Sequence, residues 1–256
     1  MLDSHCHLND EILLPNLEVV ISSALISGVT TILCVGYDLV SSKKAVEIAE
    51  AHQGIFAAVG YQPENVKGVD LSVLNEIEKL ASSKKVIAIG EIGLDYHWEK
   101  TPEIVEHQKE FFIAQLKLAK KLNLPVSIHA RDATQDTYDI LKEYLPSRSG
   151  VLHCYSGSKE MLLQFSKLGL YFGFGGTSTY INAASVRENI AICPKERILS
   201  ETDSPYLTPV PFRGKTNEPK HVPLIVANIA KIEDMTLEEC EKLINKNFEK
   251  LFHVEL

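Results

Sequence analysis

Seven side chains in this sequence have the types and positions to hold a metal ion and use it: His5, His7, Glu91, His129, His153, Glu201 and Asp203. His5 and His7 are two residues apart. In an extended strand, positions i and i+2 point to the same side, so both imidazoles face one way and Cys6 faces the other. Such a pair can grip one cation, and by itself it is as consistent with two solvent-exposed histidines. Glu91 lies among apolar residues in Ile89-Gly90-Glu91-Ile92, where a buried acid needs a partner. The partner is either a neighbouring Lys or Arg or a pair of ions bridged by the carboxylate. His129 and His153, each taken singly, read as hydrogen-bonded core residues. Glu201 and Asp203 share a side of their segment by the same alternation, and paired inward carboxylates repel unless a cation or a proton intervenes.

Taken together the reading changes. Four of the nine histidines sit at inferred strand ends, with three carboxylates at two others. Convergent ligands at one mouth are the mark of a metal site rather than of separate accidents. The other histidines, His52, His97, His107, His221 and His253, fall mostly on helices or loops, where surface placement is the default. His97 is set apart because it follows Glu91 on the same loop.

The elements that must position these groups alternate along the whole chain. Short apolar runs bounded by Gly, Pro, Asn or Ser predict strands buried on both faces at Met1–Cys6, Val29–Gly36, Ile55–Tyr61, Val86–Ile92, Pro125–Ala130, Gly150–Tyr155, Tyr171–Gly175 and Ile198–Asp203. Helical patterns lie between and after them: Pro15–Ile26, Ser41–His52, Leu71–Ser82, Pro102–Leu122, Thr134–Tyr144, Lys159–Leu168, Ala183–Ala191, Pro223–Ile232 and Leu237–Phe252. Gly28 and Gly54 stand where helices stop. Eight strand–helix units imply a parallel sheet, and eight is the number that closes a TIM-type (β/α)8 barrel; a doubly wound open sheet is the competing architecture. No repeat, linker or low-complexity tract divides the 256 residues, so a single α/β domain over 1–256 is expected. Residues 204–223 read as one long functional loop after the eighth strand.

Composition is that of a soluble globular protein, with 45% hydrophobic and 23% charged residues. No run is apolar enough for a membrane span, and no signal peptide is visible. The five cysteines are odd in number and scattered, which reads as reduced thiols in a cytoplasmic protein. A net charge of −8 argues against broad electrostatic binding of nucleic acid, yet bound ions can dominate the local field at a phosphate substrate. No obligate protein partner is evident.

The segments Asp3-Ser4-His5-Cys6-His7-Leu8, Gly90-Glu91-Ile92-Gly93-Leu94-Asp95-Tyr96, Ile128-His129-Ala130-Arg131, His153-Cys154-Tyr155-Ser156-Gly157, Glu201-Thr202-Asp203-Ser204-Pro205 and Arg213-Gly214-Lys215 with Asn217-Glu218-Pro219 occur in this order. As a set they resemble the TatD family of metal-dependent deoxyribonucleases, among the amidohydrolase-like barrels. The resemblance spans essentially the whole chain. It implies two adjacent divalent ions (Mg²⁺, Mn²⁺ or Zn²⁺): His5, His7 and Asp203 on one, His129 and His153 on the other, Glu91 bridging. Glu201 then orients ligands or water from behind. The implied reaction is cleavage of phosphodiester bonds in DNA or an oligonucleotide, as a 3'-5' exonuclease, by a metal-activated water. Asp203 is the candidate general base, and Arg131 and Lys215 are candidates to contact phosphate. Two ions about 3.5–4 Å apart can steady both attacking and leaving oxygens. The chain departs from the family pattern at Gln62, where histidine is usual, and at Thr216, where a basic residue is usual. Both changes remove positive charge near an expected phosphate. The alternatives are hydrolysis of a small amide, ester or lactone, since such barrels host many reactions, and a non-catalytic metal-binding or protein-interaction module.

Overall fold

The computed structural model describes all 256 residues. Eight parallel strands, β1 (Leu2–Cys6), β2 (Thr31–Val35), β3 (Ile55–Val59), β4 (Val86–Asp95), β5 (Val126–Arg131), β6 (Gly150–Leu152), β7 (Tyr171–Phe174) and β8 (Ile198–Ser200), pair in sequence order. The seam between β8 and β1 is narrow. It consists of a Cys6–Ser204 bridge, Asp203 N–H to His5 O at 2.9 Å and His7 N–H to Ser204 O at 2.8 Å. The result is a nearly closed α/β barrel.

Helices α1 (Leu17–Ile26), α2 (Leu39–Ala51), α3 (Leu74–Leu80), α4 (Pro102–Leu122), α5 (Thr134–Tyr144), α6 (Lys159–Lys167), α7 (Ala184–Ile192), α8 (Val222–Ile232) and α9 (Leu237–Phe252) surround it. Phe111, Phe112 and Leu116 of α4 are fully buried, as its spacing requires. The apolar strand runs and these helix faces make one core of 62 buried residues. None of the helices is long and apolar enough to cross a membrane.

Several predicted boundaries move. β4 runs on to Asp95 rather than stopping at Ile92, because Leu94 and Asp95 still pair with Ala130 and Arg131. β6 and β8 end earlier than predicted, at Leu152 and Ser200. The residues that follow leave the pleat: Cys154 and Asp203 take left-handed backbone conformations, φ 45° and 56°. Two predicted helices begin as separate 3₁₀ turns, Leu14–Asn16 and Leu71–Val73. Thr134–Tyr144 and Leu237–Phe252 hold to the residue; Thr236 and Glu239 cap the latter reciprocally, which fixes its start.

Candidate metal centre

Two strands slip register at the residues that matter. Between Asp3 and Cys6, β1 sets three steps against two on β2. Between Ile89 and Ile92, β4 does the same against β5. Each bulge re-aims the side chains it carries. His5 lies in the first and Glu91 in the second, and both turn to the axis of the barrel mouth. Close strand approach behind Glu91 needs glycine: Gly93 has φ 143°, and a Cβ there would collide with the carbonyl of His129.

The side chains converge in two groups that share Glu91. On one side, His5 Nε2 and His7 Nε2 are 3.3 Å apart. Asp203 Oδ1 lies 3.7 and 3.4 Å from them, and Glu91 Oε2 lies 3.7 and 3.6 Å from them. On the other side, His129 Nδ1 and His153 Nε2 are 3.2 Å apart, and each is 3.0 Å from Glu91 Oε1. The rings of His5 and His153 stack at 3.9 Å and join the two groups. All six residues therefore meet, and each oxygen of Glu91 addresses a different group.

These donors fit divalent ions. With metal–ligand bonds of about 2.0–2.2 Å, neighbouring ligands of one ion lie about 3.0–3.6 Å apart, depending on geometry. The observed separations are of that size. The outer ring nitrogens are also set correctly. His7 Nδ1 faces the carbonyl of Val35 at 2.8 Å, and His129 Nε2 faces Asp95 Oδ2 at 2.8 Å. A carbonyl can only accept, so Nδ1 of His7 carries a proton, and when the ring is neutral its Nε2 lone pair points inward. Asp95 imposes the matching tautomer on His129.

The electrostatics ask for positive charge. Burial would push the Glu91 carboxyl up, but His153, His129 and His5 outweigh it and hold the group well below the usual carboxylate range. Asp203 is likewise lowered, against burial, by His7, His153 and His5. Burial would lower His7 and His129. The hydrogen bond to Asp203 and the charge of Glu91 instead hold His7 up at about 9. Asp95 and Glu91 hold His129 up at about 10. Without a metal, protons supply the charge these carboxylates demand.

Glu201 stands behind His153. Its Oε1 accepts from the backbone N–H of Cys154 at 2.5 Å and lies 3.9 Å from His153 Nδ1. His153 Nδ1 and Glu201 Oε2 are buried with no hydrogen-bond partner. Since residues 201–203 lie beyond β8, simple alternation does not govern them: Asp203 serves His5 and His7 while Glu201 serves the opposite half. Glu201 fits only because residue 173 is glycine; a Cβ on Gly173 would overlap its carboxylate.

A cavity of about 610 Å³ opens over the centre, lined by Glu91, His129, His153, Asp203, Arg131 and Trp98 among others. Arg131 is exposed at its edge. Lys215 does not line it; its ammonium rests 5.7 Å from the Phe212 ring on the exposed loop, near Thr216. Gln62 lines both this cavity and a second groove of about 480 Å³ beside His7, where its amide donates to Asn65 Oδ1 at 3.0 Å. Asp95 and Trp98 were not among the predicted site residues. Asp95 had a usable signal: it lies four residues after Glu91 in a run that stays apolar. Trp98 had none beyond being the only tryptophan.

Comparison with known proteins identifies the family. The family model of TatD-related DNases matches residues 2–253. An uncharacterized metal-dependent hydrolase of Bacillus subtilis (strain 168), YabD, is 42% identical over 255 residues, covering 99% of each chain. A protein of Pantoea ananatis (strain LMG 20103) named 3'-5' ssDNA/RNA exonuclease TatD is 35% identical over 242 residues, 92% of each chain. The crystal structure of YjjV, a TatD homologue from Escherichia coli K12, superposes with a TM-score of 0.93 at 30% identity, over 100% of this chain and 98% of that one. This chain is a metal-dependent hydrolase belonging to the family of TatD-related DNases.

Proposed function

We propose that the chain hydrolyses phosphodiester bonds at the 3' end of DNA strands, with two divalent ions held by the two donor groups. The observation that carries this reading is the split of Glu91, one oxygen facing His5 and His7 and the other facing His129 and His153. The cutting direction is carried over from the name of the Pantoea relative. Once bound, the ions would polarise the phosphoryl group and make a water acidic enough to act near neutral pH.

The remaining work falls to the chain. Asp203, held ionised against burial, is placed to accept the proton of the attacking water at its carboxylate. Arg131 offers a planar pair of N–H donors to phosphate oxygens at the cavity edge. Asp95 steadies His129 from behind by a hydrogen bond, and the Glu201 carboxylate faces His153 Nδ1 from 3.9 Å. Gln62 reaches the same cavity with a neutral amide, so it can hydrogen-bond a phosphate but cannot bring an imidazolium charge to it.

The test is release of nucleotides from an end-labelled single strand with Mg²⁺, Mn²⁺ or Zn²⁺. His129→Ala and Asp203→Ala should each abolish it while the fold, read by circular dichroism, persists. Parent-level cutting by both variants would overturn the assignment. Metal analysis of the purified protein should find about two ions per chain.

A further inference from the structure

Trp98 is the chain's only tryptophan, and it is 68% exposed. An exposed indole is usually a mobile surface residue, but this one sits on a segment fastened at successive positions. The Tyr96 hydroxyl donates to Asp136 at 2.8 Å. His97 N–H donates to Asp95 Oδ1 at 2.7 Å, and its ring meets Asp132 at 3.1 Å. The next residue, Glu99, pairs with Lys67. The indole itself is steadied edge-on by His97, ring centroids 4.8 Å apart, and by the Arg131 guanidinium 5.3 Å from its ring. These contacts fix the ring and leave most of it uncovered.

The ring also lines the cavity that contains Glu91, His129, His153 and Asp203. Asp95, which anchors the Trp98 loop through one oxygen, holds His129 through the other. The platform and the candidate catalytic centre are thus referenced to one carboxylate. Arg131 lies between them, two residues after His129 on β5.

We infer that Trp98 is a positioning residue on which an unstacked nucleobase of a single strand lies while the neighbouring phosphate reaches the centre. This rests on the phosphodiester reading above. An aromatic face takes any base, so it contributes affinity without sequence preference. A paired base inside a duplex has both faces covered and cannot use it. The single-stranded substrate is already in the name of the Pantoea relative; Trp98 adds a physical basis for it in one side chain of this chain.

Two oligonucleotides test it: a short oligothymidylate, and the same chain built of abasic tetrahydrofuran residues. Trp98→Ala should raise KM for the first by about fivefold to 150-fold, the range expected for losing one base–aromatic stack, with kcat little changed. Trp98→Phe should recover most of the loss. On the abasic chain the three proteins should be alike. The lone tryptophan also reports binding without turnover: the oligothymidylate should quench its fluorescence and the abasic chain should not.

An unchanged KM in Trp98→Ala, or an equal rise on both chains, overturns the platform and leaves phosphodiester hydrolysis standing. Quenching by the oligothymidylate alone, with no hydrolysis by any of the three proteins, keeps the platform and removes the hydrolytic reading. Absence of both quenching and hydrolysis removes both.

Discussion

Asp95→Asn isolates one half of the centre. Asp95 is buried and both its oxygens accept: Oδ1 from His97 N–H at 2.7 Å and Oδ2 from His129 Nε2 at 2.8 Å. Asparagine keeps the shape but has one oxygen for two donors. If its amide nitrogen turns to His129, the ring must accept at Nε2 and carry its proton on Nδ1. That proton would point at Glu91 Oε1, 3.0 Å away, where an ion is expected. If the amide turns the other way, the His97 N–H loses its acceptor and the loop loosens. Replacing such an outer partner costs about 10- to 100-fold in metal affinity, or about 1.4–2.7 kcal/mol. The loss of a hydrogen bond to a charged group, about 1.5–3 kcal/mol, gives the same size independently.

Geometry confines the effect. His5, His7 and Asp203 make no contact with Asp95, so their half should bind as before. Chelator competition with Mn²⁺ or Zn²⁺, resolved into two binding events, is the assay. One event should weaken by about 10- to 100-fold and the other should not move. Equal weakening of both, or of neither, would refute the claim that Asp95 acts through the tautomer of His129. Thermal unfolding of the metal-free variant separates that claim from general loss of structure.

Gly173→Ala forces a methyl group against the Glu201 carboxylate, which is fully enclosed. Overpacking of this kind should lower stability by about 1–3 kcal/mol in thermal or denaturant unfolding, and a parent-like melting curve would show that Glu201 can yield. The thiols give a pH prediction. Burial pushes Cys34 up to about 12 and Cys240 up to about 11. A thiol harder to ionise folded than unfolded contributes its full stabilisation below about pH 8.5 and loses it progressively as the pH climbs through the folded value, so stability should fall with pH across that window. At pH 8 a thiol reagent should label the native chain at Cys154 at most, the only one of the five not fully buried, and all five after denaturation; rapid labelling of more than one native thiol would contradict the packing.

The architecture was legible because the barrel repeats one local rule. Apolar runs of strand length alternate with helical patterns, and nothing in β2 or α4 depends on a distant residue to be recognised. The six metal-centre candidates were legible by type and by place at strand ends. Their aim was not. His5 and Glu91 reach the axis through bulges, and a bulge is a mismatch between two strands that neither strand's pattern contains. Asp203 and Cys154 depend on left-handed turns that the local pattern does not require: aspartate merely tolerates that conformation and cysteine gives no sign of it. Gly93 and Gly173 are ordinary strand residues by sequence; their necessity is apparent only once His129 and Glu201 stand opposite them. The roles of Asp95 and Trp98 escaped for the same reason, because each is defined by a partner some 30 or more residues away.

The weakest seam of the barrel is also where the candidate centre closes, and the two facts have one cause. β8 is only three residues long and ends before it can pair fully with β1. Beyond it the chain turns through Asp203 in a left-handed conformation, which an aspartate adopts more readily than most residues. That turn places the Asp203 N–H on His5 O, and the next residue's carbonyl then receives the His7 N–H. The same two bonds therefore close the barrel and set the carboxylate of Asp203 against the two imidazoles. Behind them Asp3 accepts from the Thr202 N–H at 2.9 Å and from its hydroxyl, tying β1 to the segment after β8 a second time. A longer, regular β8 would complete the sheet but carry residue 203 straight past His5 and His7. The short strand sacrifices ladder hydrogen bonds and obtains a third donor for the first group, so an ion bound there would bridge β1 and the β8 loop and reinforce the seam where the backbone holds it least.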